Sequence, residues 1–271
     1  MIMDIEFLTD EVKKLAVETG VFIREQRSVF CADRVETKRS HDYVSYVDKE
    51  AEKRIVERLS SLLPEAGFIA EEGSASCSQS HEYVWVVDPL DGTTNFIHDN
   101  APYCVSIALR SSSGETLLGV VYECNTKELF WAHHKSAAYL NDKQISVSSV
   151  DTLDQSLCIL GLPYNADYYR PFVAELTSLL YGNTCSLRNL GSAAIELCYV
   201  ACGRFDVYIE GCLSPWDVAA GLLILKQAGG KATDFSNGTL FKDGKEVVAT
   251  NEKVHDELLA VIEKARNKAF L

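Results

Sequence analysis

The chain has 271 residues, 47% of them hydrophobic, and a formal net charge of −13. That length suits one large domain or two closely joined ones, and that apolar share supplies a core, which excludes a disordered chain. Its basic residues are scattered, which argues against nucleic acid as a partner, and no apolar stretch nears the ~18 residues of a membrane span.

Leu8, Val12, Leu15, Ala16, Thr19, Phe22 and Ile23 recur at three- and four-residue steps, which predicts an amphipathic helix over roughly 4–30. The first residues are acidic where a secretory leader would be basic, so a cytoplasmic protein is expected. A second helix is predicted from Asp48 to Leu63, with Ala51, Ile55, Leu59 and Leu62 inward and Pro64 ending it. Short strands follow at Gly67–Ala70, Tyr83–Val87, Tyr103–Arg110, Thr116–Glu123 and Glu128–His133, joined in part by hairpin turns.

Beyond residue 155 the pattern alternates. Ser156–Leu160, Phe205–Ile209 and Val247–Thr250 read as strands; Tyr168–Leu180, Ser192–Cys202, Pro215–Gln227 and Val254–Lys264 read as helices. A meander followed by alternation predicts two layered α/β subdomains, 1–150 and 151–271, forming one continuous unit. The cysteines (Cys31, Cys77, Cys104, Cys124, Cys158, Cys185, Cys198, Cys202 and Cys212) form no CxxC pair, and Cys198 and Cys202 fit one buried helix face. His133 and His134 fit a surface better than a ligand set.

The chemistry concentrates in VWVVDPLDGTTNFIH, residues 84–98. An apolar strand delivers Asp88 to its end, Asp91 follows within a turn, and Gly92, Thr93 and Thr94 offer backbone N–H groups and hydroxyls suited to an anion. Carboxylates beside an anion need a cation between them, and hard oxygen donors suit magnesium. Taken alone, the same residues also fit a plain Asp-Pro turn. Glu71 and Glu72 are a second acidic pair at a strand end, and Asp48 opens a helix. Ser214-Pro215-Trp216-Asp217 has the form of a capping box with proline at the first helical position. No GxGxxG, GxxxxGK[ST] or GxSxG motif is present.

Four blocks in order, KRSHDYVSYVDKEAE at 38–52, FIAEEG at 68–73, WVVDPLDGTTNFIH at 85–98 and SPWDVAAG at 214–221, make the chain resemble the inositol monophosphatase family of magnesium-dependent, lithium-sensitive phosphatases. The resemblance implies a layered αβαβα sandwich of the inositol monophosphatase and fructose-1,6-bisphosphatase type, usually a homodimer, acting on a small phosphate ester with two or three Mg2+ ions. It further implies metal ligation by Glu71, Asp88, Asp91, Asp217 and the Leu90 carbonyl, with Thr93 a further candidate. Asp48 and Thr93 correspond to the pair that activates water, with Glu71 also at the catalytic centre. Lys38 corresponds to the basic residue of a mobile loop.

Phosphate and ring contacts would come from Asp91, Gly92, Thr93, Gly191, Ser192, Ala193, Glu210 and Asp217. Thr93-Thr94-Asn95-Phe96 follows the inositol branch, so inositol monophosphate is the expected substrate; a broader sugar-phosphate phosphatase, or an added protein-binding role in transcription, is the alternative. The chain departs from the family in having Ala70 before Glu71 and Ser45 after Val44. Four crowded carboxylates should cost the metal-free fold stability, a cost that Asp91→Asn is expected to relieve.

Overall fold

A computed structural model describes residues 4–30, 35–39, 42–73 and 81–269; side chains over 35–39 and at positions 42 and 43 lie outside the described set, as do Cys31 and Cys77. The N-terminal helix α1 (Ile5–Ser28) begins where the Asp4 carboxylate accepts the Phe7 N–H at 3.0 Å. Helix α2 (Tyr46–Leu62) starts two residues before the sequence expectation, because Ser45 takes the N-cap and Asp48 reaches back to the Ser45 N–H at 2.9 Å.

Strand alternation organises the layers. A seven-stranded sheet runs β3 (Gly67–Ala70), β4 (Tyr83–Asp91), β5 (Cys104–Ser111), β6 (Thr116–Glu123), β7 (Glu128–His133), β8 (Tyr139–Leu140) and β9 (Lys143–Gln144) in spatial order. Trp85, Val87, Val105, Ile107, Leu109, Val120 and Tyr122 face α1 and α2. The intervening positions Val86, Cys104, Ala108 and Val121 face α5 (Ala193–Ala201) and α6 (Pro215–Gln227).

Gly119 lies so close to α6 that a Cβ there would sit 2.8 Å from the Ala220 backbone. Beyond α5 and α6 lies the second sheet, ordered β11 (Ser186–Arg188), β10 (Leu157–Leu160), β12 (Val207–Leu213), β14 (Lys245–Thr250) and β13 (Lys231–Thr233). Its outer face, with Cys158, Leu160, Val207, Ile209 and Val248, is covered by α4 (Ala166–Leu180) and α7 (His255–Ala269). Helices and sheets therefore alternate through five layers, the αβαβα order expected.

Several elements escaped the sequence reading. The β1–β2 hairpin (Val35–Arg39 and Asp42–Ser45), the short strands β8, β9, β11 and β13, and the five-residue α3 (Thr93–Ile97) are too short to show a period, and pairing partners define them. Strand β4 does not stop at Val87: pairing with β5 continues through Asp88↔Ser106 and Asp91↔Cys104, with a register shift between them. His133, expected at the surface, is buried on β7, where its Nδ1 accepts the Lys135 N–H at 3.2 Å. Cys198 is buried and Cys202 half-buried, and every described cysteine is free.

Candidate active site

The end of β4 meets the starts of α5 and α6 around a cleft of about 430 Å3. Asp88 is almost fully buried, and its Oδ1 accepts the Leu90 N–H at 3.0 Å, so the Asp-Pro turn forms as its chemistry predicts. The Leu90 carbonyl lies 3.0 Å from Thr93 Oγ1, which also lies 2.9 Å from Oδ1 of the buried Asp48. Gly92 precedes α3 at φ +89, a left-handed conformation, and a Cβ there would stand 2.8 Å from the Pro102 carbonyl. Only glycine meets both conditions.

The opposing wall comes from the second half of the chain. Asp91 reaches across to it: Oδ2 accepts from Ser192 Oγ at 2.7 Å, the Ala194 N–H at 2.8 Å and Cys104 Sγ at 3.8 Å. Asp217 sits in the first turn of α6 and accepts the Ser214 N–H at 2.7 Å, so it is a cap and a cleft residue at once. Glu210 leaves β12 for the cleft and accepts from Tyr208 Oη at 2.6 Å. Gly161 makes room for it, since a Cβ there would overlap the Glu210 carboxyl at 2.1 Å.

Glu71, Asp88, Leu90, Asp91, Gly92, Thr93, Gly191, Ser192, Ala193, Glu210 and Asp217 all line this one cleft. Asp48 stands behind it, in contact through Thr93. Glu72 does not join them; its N–H donates to the buried Glu52 at 2.7 Å. The side chain of Lys38 lies outside the described residues.

Two residues not singled out from sequence hold the second wall in place. Asn95 Nδ2 donates to the Pro102 carbonyl at 2.8 Å and to the Leu190 carbonyl at 2.7 Å. Buried Glu196 accepts the N–H groups of Leu190 and Gly191 at 2.7 and 3.1 Å. The 190–191 peptide is thus gripped from both sides. The runs GTTN and RNLGSAAIE contain these residues, yet nothing in their spacing gives the grip.

Among the described residues lining the cleft there are five carboxylates and no Lys, Arg or His. Burial, then the charges of Glu71, Asp91 and Asp217, raise the Asp88 carboxyl well above the usual range. Asp217 is raised likewise, by burial and then by Asp91. Burial also raises Asp91, but the Ser192 hydroxyl and the Ala194 N–H oppose it. Burial pushes Glu210 up to about 7, against the Tyr208 hydroxyl. Asp88 accepts one backbone N–H where Asp91 accepts from three groups, so charge relief is expected at both positions and more at Asp88.

An all-oxygen donor set whose aspartates are raised first by burial and, at Asp88 and Asp217, then by neighbouring carboxylates is chemically suited to a hard cation. No three His, Cys, Asp or Glu side chains among the described residues are close enough to hold an ion by themselves. Magnesium tolerates that, because it keeps waters and substrate oxygens in its shell.

A profile of the inositol monophosphatase family matches residues 4–267. Among similar proteins, the inositol-1-monophosphatase of Mesorhizobium japonicum is 38% identical, covering 85% of this chain and 86% of its own. The Nus factor SuhB of Vibrio cholerae is 37% identical, covering 90% and 92%. The crystal structure of the extragenic suppressor protein SuhB from Bartonella henselae superposes with a TM-score of 0.89 at 33% identity, covering 95% of this chain and 98% of that one.

Proposed function

The chain belongs to the inositol monophosphatase family, and from that premise we propose that it is a magnesium-dependent phosphomonoesterase releasing inositol and phosphate from inositol monophosphate. The observation that carries this reading is the cleft: among the described residues it is lined by five carboxylates, no side-chain cation and the Gly92–Thr93 turn. Glu71, Asp88, Asp91, Asp217 and the Leu90 carbonyl would hold two or three Mg2+ ions, which supply charge at the phosphoryl oxygens and lower the pKa of water.

Thr93 acts through its hydroxyl. With its own proton directed to Asp48, the oxygen keeps lone pairs to accept a hydrogen bond from water, so water's proton can pass to Thr93 as the hydroxyl proton passes on to Asp48. Asp48, raised by burial, then takes a proton more readily than an exposed aspartate would. Backbone N–H groups of Gly92 and Thr93 bind phosphate oxygens. Glu210 accepts a ring hydroxyl, and Gly191, Ser192 and Ala193 shape the ring-facing wall. Lys38 is assigned to the loop beside the site on the family resemblance alone.

The halves 1–150 and 151–271 work as one unit, since both contribute residues to the cleft. Among the described residues no helix is long and apolar enough to cross a membrane. A cytoplasmic, lithium-sensitive homodimer completes this reading. Phosphate release from inositol monophosphate, fructose 1,6-bisphosphate and nucleotide phosphates, with magnesium and with EDTA, tests it. Preference for the bisphosphate would move the assignment to a broader sugar-phosphate phosphatase.

Similarity to proteins named Nus factor SuhB supports a second reading, an added protein-binding role in transcription. Capture of transcription proteins by a full-length Asp88→Asn variant that releases no phosphate would support it, and failure of that variant and the wild type alike to capture any would end it.

A further inference from the structure

A second cleft, of about 790 Å3, opens at the opposite end of α6 from Asp217. It lies between the β5–β6 turn, the last turn of α6, β13 and the 3-10 turn at Leu240–Asp243. Four cations line it, Arg110, Lys226, Lys231 and Lys242, together with apolar Leu222 and Phe241. Glu115, Asp243 and Glu252 line it too, so the balance is net positive in a chain whose total charge is −13.

Arg110 is the anomaly. Its face of β5 runs Cys104, Ser106, Ala108, all small and buried, and then ends in Arg110, a residue only 8% exposed. One edge is used: Nη1 lies 3.4 Å from the exposed Asp243, and Nη2 donates to the Lys242 carbonyl. Nε is buried with no hydrogen-bond partner. A buried donor without a partner carries the uncompensated cost of leaving water.

Tying the 240–243 turn to the sheet explains the satisfied edge but not the orphaned donor. Lys226 complements the C-terminal end of α6, and Lys231 is held by Asp256 at 3.3 Å. Neither Lys226 nor Lys242 forms an ion pair among the described residues. Two exposed cations without counter-ions among the described residues, the Arg110 side chain and an apolar surface beside them line one cavity.

We propose that this cleft binds a small organic anion, a carboxylate or phosphate group on an apolar body, with Arg110, Lys226 and Lys242 at the anionic end and Leu222 and Phe241 against the body. The test uses the full chain in EDTA, where the carboxylate-lined catalytic cleft repels anions. Methyl NMR of leucine-labelled protein is followed while benzoate, phenylphosphonate or neutral benzyl alcohol is added.

Saturable shifts at Leu222 with benzoate or phenylphosphonate, absent with benzyl alcohol, are expected at millimolar concentrations. The tighter of the two anions identifies carboxylate or phosphate as the natural group. Lys226→Glu/Lys242→Glu, at exposed positions that leave the fold intact, should weaken that binding at least tenfold. Arg110→Gln should weaken it as well if the variant folds. Equal shifts with benzyl alcohol, shifts at Leu162 in the catalytic cleft instead of Leu222, or unchanged affinity in the double lysine variant would overturn the proposal.

Discussion

The two walls of the catalytic cleft are built by different rules. The wall from β4 and α3 is local: Asp88 bonds to Leu90, Leu90 to Thr93, and a glycine required by its own φ lies between. The wall from 189–196, beside Glu210, is held from a distance. Asn95 grips Leu190 across 95 residues, and Asp91 reaches Ser192 and Ala194 across more than 100. Residues 88–93 deliver most of the oxygen donors, with Glu71 and Asp217 completing them, whereas long-range hydrogen bonds shape the surface that a substrate's alcohol would meet. Damage to the first wall should therefore strike the rate, and damage to the second should strike recognition.

The largest effect is expected from the donor wall and from α6. Asp88→Asn or Asp217→Asn should lower the rate of phosphate release at least ~100-fold, since each removes charge stabilisation worth several kcal/mol in the transition state. Turnover by EDTA-treated enzyme close to that with magnesium would contradict the assignment of this wall.

Glu210 tests the second wall. Loss of one charged hydrogen bond is worth roughly 1.5–3 kcal/mol, so Glu210→Ala should reduce kcat/KM for inositol monophosphate by ~10- to 100-fold. An aryl phosphate, which has no ring hydroxyls, should lose far less. Equal losses on both substrates would remove Glu210 from recognition.

Glu196 sharpens the contrast, because its role is positioning. Burial and then the charge of Glu210 raise its carboxyl well above the usual range, which favours the neutral form that glutamine mimics. Glu196→Gln should keep KM near wild type. Glu196→Ala leaves the Leu190 and Gly191 N–H groups without their acceptor and should raise KM about tenfold, with a smaller change in kcat. A steady-state comparison of the three proteins decides it, and a Gln variant as impaired as Ala would mean that the charge is needed.

The smallest effect concerns stability. A raised folded-state carboxyl binds more protons in the folded than in the unfolded protein, so metal-free stability should fall as pH rises from about 4, the unfolded value, through the raised values of Asp88 and Asp217. Melting at pH 5 and pH 8 in EDTA should show that fall, and magnesium should flatten it. At pH 8 without metal, Asp88→Asn should melt about 2–4 °C above wild type, equivalent to about 1 kcal/mol. Asp91→Asn should gain less, because Ser192, Ala194 and Cys104 already stabilise that carboxylate. A larger gain at Asp91 would reverse that order.

The sequence by itself determined the layers and the donors. Side-chain periods of 2 and 3.6 are local properties, so β4 to β7 and the long helices are legible from apolar spacing, and the DPLDGTT run carries its turn chemistry in consecutive residues. Resemblance across four blocks then named the carboxylates that the cleft brings together. Tertiary structure alone decided the rest. Short strands such as β8, β11 and β13 exist because a neighbour pairs with them, not because of any pattern of their own. Whether Asp88 or Asp91 gains more from charge relief depends on donors more than 100 residues away. The roles of Asn95 and Arg110 lie in contacts far along the chain, and that of Glu196 in a bond back to the 190–191 peptide, since a buried polar side chain is defined by its partner and a linear chain does not say which partner folding will supply.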